Sequence, residues 1–204
     1  MQLTTLLLIL TFLAVTSFYL GRGRSVALVG GPRKVAALHS LPGYYGYFTV
    51  IWCVLPPLAV LVAWLAMEPR VIVALVIGSL PDAQRALSPG ELNLLVNNIQ
   101  NLAVGDAVSV EVDAVLRDAS ERWHAYKSAS RNLLAALAIA TALFGAAVAW
   151  RRISPDLRAR NRVENVLRML LVGASSIAIL TTIGIVTSVL FEAVRFFQQV
   201  PLSE

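Results

Sequence analysis

Charge is what this chain of 204 residues has little of: 14% of its residues are charged, and only 12 of them are Asp or Glu. A soluble domain is near one quarter charged, so the chain lacks the polar residues needed to cover a water-facing surface. Cysteine is almost absent. Cys53 stands alone and cannot pair within the chain, which excludes a disulfide scaffold. Histidine is scarce as well, with only His39 and His124 to offer imidazole to a metal. No Lys or Arg precedes the first apolar run, so that run lacks the basic lead of a secretory signal. What is present in excess is apolar: 57% of residues are hydrophobic, which excludes disorder and leaves an integral membrane protein.

The apolar runs predict an all-α, polytopic membrane protein with four transmembrane helices and an extracytoplasmic helical cap. Residues 1–20 read as the first span, followed by a basic cytoplasmic loop over 21–46. Residues 47–67 form the second span, with Trp52 and Trp64 near its ends as interfacial anchors. Pro56 and Pro57 in its middle predict a kink and freed carbonyls that a neighbouring helix must satisfy. A break is expected at Glu68-Pro69, with Val71 to Leu80 as a separate interfacial or buried helix. Residues 133–150 form the third span and 169–191 the fourth, joined by a basic cytoplasmic linker over 151–168. Residues 192–204 are then an extracytoplasmic tail.

Orientation follows from the loops. The 21–46 and 151–168 segments together hold ten of the 17 basic residues and two of the 12 acids. The positive-inside rule therefore puts both in the cytoplasm and the N-terminus and the 68–132 segment outside. The net charge of +5 thereby acts on topology, and no nucleic-acid partner is implied.

The 68–132 segment reads as helical. Ser88-Pro89-Gly90-Glu91 has the form of a capping box with proline at the first helical position. Leu92, Leu95, Val96 and Ile99 follow at helical spacing, and a second stripe runs through Val108, Val112, Val115, Leu116, Ala119, Trp123 and Tyr126. Without Gly or Pro from 107 to 144, this second helix is expected to run into the third span. A cap of this size is too small for a substantial core, so it should lean on its own membrane helices or on a partner.

No catalytic constellation is present. His39 and His124 fall on opposite sides of the membrane and cannot share a metal, and Cys53 is expected to act as a small apolar residue. Gly21-Arg22-Gly23-Arg24 and Gly30-Gly31-Pro32 lack the Gly-Lys-Ser/Thr ending of a phosphate loop and read as a flexible basic loop near lipid headgroups. Glu111, Asp113, Asp118 and Glu121 interleave with Arg117 and Arg122 as a solvated, partly ion-paired face. Glu192 and Arg195 are spaced as an i,i+3 pair at the outer end of the last span. Neither a cofactor nor a metal is called for.

The unusual feature is the last span, crowded with small and hydroxyl-bearing residues from Gly173 to Ser188. Ala174, Ala178, Thr181, Gly184 and Ser188 fall within about a third of the helix circumference, and Gly184 and Ser188 make a small-xxx-small pair that allows close helix approach. Two uses are open: packing against the first three spans, or packing into a larger transmembrane assembly.

The stretch from Arg162 to Arg168, then Ser175 to Val186 and Leu190 to Phe197, resembles the start of the permease core in the phosphate ABC-importer subunit of the PstC type. Leu41-Pro42-Gly43-Tyr44-Tyr45-Gly46 and Glu68-Pro69-Arg70-Val71-Ile72 are similar to the extra N-terminal membrane region of its longer bacterial form. The resemblance implies one half of a heterodimeric channel in the bacterial inner membrane. Its partners would be a second permease subunit, two ATPase subunits, a periplasmic phosphate-binding protein and the lipid bilayer. Phosphate would cross by alternating access. Relative to that family the chain stops at Val200-Pro201-Leu202-Ser203-Glu204, where further core spans and the ATPase-coupling loop are expected. No phosphate-contacting residue carries over. The competing reading is a non-enzymatic membrane sensor or assembly factor with an external helical domain.

Overall fold

A computed structural model describes residues 3–105 and 113–199, and every regular element among them is helical. Helix α1 spans Leu3–Leu28, and a short 3-10 turn over Pro32–Ala37 leads to α2, Pro42–Ser79. The cap contributes α3, Asp82–Arg85, and α4, Pro89–Val104; then come α5, Ala114–Arg152, and α6, Ala159–Gln199. Four of these, α1, α2, α5 and α6, are long and apolar enough to cross a membrane. At 1.5 Å per residue the 38 residues of α2 reach about 57 Å, far beyond the ~30 Å hydrocarbon core. The long helices therefore carry their membrane stretches onward into the solvent-facing parts.

Helices α1, α2 and α5 form the bundle. One seam is made of small residues on α5: Ala135, Ala138, Ala142, Gly145 and Ala149. Their alternating spacing of three and four keeps one narrow stripe facing α2, the geometry of shallow left-handed helix crossings. Gly145 is the closest approach, since a Cβ there would collide with the Trp52 carbonyl. That carbonyl belongs to the residue four before Pro56, the one a proline leaves without its helical N–H. The freed acceptor thus faces the backbone of α5, where only glycine leaves room.

The α1–α2 seam is built the same way. A Cβ on Gly46 would stand 2.7 Å from the Phe18 ring, and one on Gly21 would stand 2.8 Å from the Tyr45 carbonyl and strike the Thr49 hydroxyl. Thr49 is buried, and its hydroxyl lies within donating distance of Ser17 O across the seam at 2.9 Å and of Gly46 O and Tyr45 O on its own helix at 2.7 and 3.1 Å. Gly21-Arg22-Gly23-Arg24 is consequently the last part of α1 and not a flexible loop; its first glycine is a packing residue. The chain turns at Gly30 and Gly31, both at positive φ, where Gly31 N–H donates to Val26 O.

The expected break at Glu68-Pro69 does not occur, and α2 runs through Pro69 to Ser79. An interior proline costs roughly 3 kcal/mol. Against that, the continuation buries Ile72, Val76 and Leu80 against Ile99, Ala103, Leu116, Ala119 and Trp123. At roughly 1.5–3 kcal/mol for each large aliphatic side chain, burial outweighs the proline. This cluster is the core of the cap. It leans on its own membrane helices, as its size requires: α2 and α5 extend out of the bundle to supply most of it.

The capping box of α4 forms in both halves, Ser88 Oγ accepting from Glu91 N–H and the Glu91 carboxylate accepting from Ser88 N–H at 3.1 Å. The Ser88 hydroxyl also donates to the Glu91 carboxylate at 2.7 Å, and that bond, with the weaker effect of the one from Ser88 N–H, holds the Glu91 carboxyl below the usual glutamate range. At α5 the cap is Asp113, whose Oδ1 accepts from Leu116 N–H at 2.7 Å. Leu116, Ala119 and Trp123 are buried as the stripe predicts, with Val115 and Tyr126 packed at the edge. Val108, Glu111 and Val112 lie outside the described residues. From Asp113 the helix does continue unbroken into the third apolar span.

Candidate functional site: a bare helix on a fixed root

Among the described residues, the last helix is held only at its beginning. Ala159 and Val163 are buried, Ala159 with Leu38, Tyr45 and Ile153, and Val163 with Phe48 and Ala149. Tyr45, with no exposed surface, sends its hydroxyl to Pro155 O and Leu157 O, each at 3.1 Å, and so clamps the linker that launches α6. His39 N–H adds a bond to Pro155 O at 3.0 Å, and Arg160 N–H donates to Ser40 Oγ at 3.3 Å. On the helix itself Arg160 pairs with Glu164 at 2.6 Å. The root of α6 is therefore fixed by side chains from the 38–48 segment.

Beyond that root the helix is bare. Every residue from Leu167 to Glu192 is exposed. None of the most apolar stretch of α6 is buried, against a third of the corresponding stretch of α5. Ala174, Ala178, Thr181, Gly184 and Ser188 are all among the exposed residues, and nothing stands within 4 Å of a Cβ built on Gly173 or Gly184. The described part of the chain places no second helix over them. Hydroxyls on this helix bond inward: Ser176 to Val172 O at 2.8 Å, Thr181 to Ile177 O at 2.8 Å and Thr182 to Ala178 O at 2.9 Å. Such back-bonding satisfies a hydroxyl without water, so these side chains can enter an apolar environment unpaired. Glu192 and Arg195, spaced for a pair, do not close one; both are solvated, where an ion pair contributes little.

Two features of the structure lie outside the sequence-based expectations. The α5 seam was one; its signal was the run of small residues spaced three and four apart from Ala135 to Ala149. The other is a polar chain at the junction of bundle and cap. Trp64 Nε1–H donates to Ser130 Oγ at 3.0 Å, and Ser130 donates to the Glu68 carboxylate at 2.7 Å. Lys127 and Arg131 line a recess shared with Glu68. Trp64 and Glu68 share a face of α2 at i,i+4, but only the packing of α2 against α5 brings Ser130 to them. Trp64 is thus the anchor of a helix–helix contact. The remaining singled-out residues have plain roles: Cys53 is buried with Leu6, Leu10 and Leu134, His124 is exposed, and Asp118 pairs with Arg122 at 2.9 Å. No cluster of three potential metal ligands occurs among the described residues.

An all-α polytopic membrane protein with three packed spans, a helical cap and a fourth span rooted but uncovered is the class this architecture defines. The chain belongs to a family described as "Phosphate ATP-binding cassette transporter", whose model matches residues 7–181, from the first turns of α1 to the middle of α6. Comparison with curated proteins and with solved structures found no match to either.

Proposed function

We propose that this chain contributes membrane helices to the permease of an ATP-driven phosphate importer, and that α6 is the helix by which it enters the permease core. The observation that carries this reading is the apolar length of α6 beyond its root, exposed from Leu167 to Glu192, in a chain of a phosphate transporter family. A helix this apolar is stable in lipid alone, but its small-residue stripe admits a close helix neighbour. In this reading the chain hydrolyses nothing itself. ATP is consumed by two partner ATPases, a second permease completes the channel, phosphate arrives on a periplasmic binding protein, and transport proceeds by alternating access.

The charge pattern supports an orientation in the inner membrane with the Arg-rich 21–46 and 151–168 segments in the cytoplasm and the cap outside. In that orientation the cap is on the side where a binding protein docks, and we assign it a role in docking or assembly. Deleting residues 82–128 from the subunit should lower phosphate uptake or complex yield; unchanged values of both remove that role. Affinity purification of the tagged subunit from its own membranes tests the main reading. It should recover a second permease and an ATPase, and recovery of neither would overturn it.

A further inference from the structure

The Arg-rich end of the bundle carries a feature outside the proposed role of α6. There α2, the end of α5 and the start of α6 enclose a groove of about 290 Å³. Phe48, Ile51, Leu55, Pro56 and Val166 make its lining apolar, and Arg152 and Arg162 are the charged residues along it. Phe48 and Pro56 are eight residues apart, so the groove follows α2 for about 12 Å into the apolar layer. Arg152 lies over the face of Trp52, 5.6 Å from the ring centre, at the indole of an interfacial anchor.

Arg162 joins this groove to a second, polar recess. With Arg158, Asn161, Asn165 and Ser154 it lines a site on the first turns of α6, where the helix dipole is positive. Asp156 is the recess's one carboxylate. Among the described residues, neither Arg158 nor Arg162 is in an ion pair with it or with any other acid. Three guanidiniums against one carboxylate leave a cationic mouth on an apolar slot. An inorganic phosphate would satisfy the mouth and leave the slot empty, whereas an uncharged hydrocarbon would do the reverse.

We propose that this composite site binds one anionic glycerophospholipid, its phosphodiester held by Arg158 and Arg162 and one acyl chain lying along Phe48, Leu55 and Val166. The lipid then lies against the root of α6 and covers apolar surface between α2 and α6. This inference needs only the membrane setting and stands whether or not the chain belongs to a permease core.

The test is native mass spectrometry of the full-length chain in neutral detergent, titrated separately with phosphatidylglycerol, phosphatidylcholine and inorganic phosphate. One phosphatidylglycerol should be retained at least about tenfold more tightly than phosphatidylcholine, and millimolar inorganic phosphate should not displace it. Arg158→Gln with Arg162→Gln should erase that preference. Val166→Trp, on the half-exposed side of the slot, should weaken both lipids, with helicity unchanged by circular dichroism in each case. Equal retention of the two lipids, displacement by inorganic phosphate, or indifference to both variants would overturn the proposal. So would a Val166→Cys chain that cross-links to another polypeptide in native membranes, which would put protein in the slot.

Discussion

Helices α5 and α6 are of similar length, 39 and 41 residues, and both carry small residues at helix-packing intervals, yet only one is covered. On α5 the stripe from Ala135 to Ala149 is buried, and Gly145 presses against the backbone of α2 at Trp52. On α6 the stripe from Ala174 to Ser188 faces outward along its whole length. The difference teaches that a small-residue stripe states a capacity for close approach and leaves the neighbour unnamed. What selects α5 is a complementary feature on α2, the carbonyl freed by Pro56 with glycine opposite it.

The sharpest way to break the comparison is to place the same side chain in both stripes. Gly145→Val should destabilise the bundle by about 3 kcal/mol or more, because neither backbone can yield, and thermal unfolding in detergent should show it. Gly184→Val should leave that unfolding within about 0.5 kcal/mol of the parent while lowering recovery of partner subunits. Equal destabilisation by both would erase the distinction between the helices.

A smaller effect separates bundle from cap. Ile99 is fully buried in the cap core, so Ile99→Ala should cost about 3 kcal/mol there. Hydrogen exchange should then accelerate over residues 72–80 and 89–104 while residues 134–149 keep their protection. Acceleration spread evenly over both would mean that bundle and cap open as one unit.

Thr49→Val removes the hydroxyl that bridges to Ser17 O and should weaken the α1–α2 seam by about 1 kcal/mol in the same unfolding assay. The corresponding change on α6, Thr181→Val, loses only a bond to its own helix and should not register.

The smallest effect is pH-dependent and confined to the cap. Because the Glu91 carboxyl is held below its usual range by Ser88, its contribution is present above the unfolded value and lost as pH falls through the folded one. Amide protection of α4 should therefore decline as pH drops below about 4.3. Ser88→Ala should lower that protection at neutral pH and flatten its decline in acid.

Much of this was legible from residue order alone, for a physical reason: in a membrane chain, apolar length, charge and capping chemistry act locally. The four apolar runs, the Ser88 to Glu91 box and the stripe from Leu116 to Trp123 each declare themselves within a few turns. The failures came where distant residues decide. Pro69 reads as a break until the burial of Ile72 and Val76 is set against it, and that burial depends on α4 and α5. Gly21 reads as loop flexibility until Thr49 and Tyr45 are known to cross there. The Trp64–Ser130–Glu68 chain and the Tyr45 clamp on Pro155 and Leu157 join residues 62 to 112 positions apart, beyond the reach of any spacing rule. The small residues of α6 stand out in the sequence, while the quieter alanines of α5 do the packing inside the chain.

The central claim is that α6 is built to be covered by a helix from outside the α1–α2–α5 bundle. Cysteine-directed cross-linking in native membranes tests it most directly, with single cysteines at 178, 181, 184 and 188 in a Cys53→Ala chain. The account predicts that all four link to a membrane helix outside residues 1–152. Links from these positions to α1, α2 or α5 would contradict it.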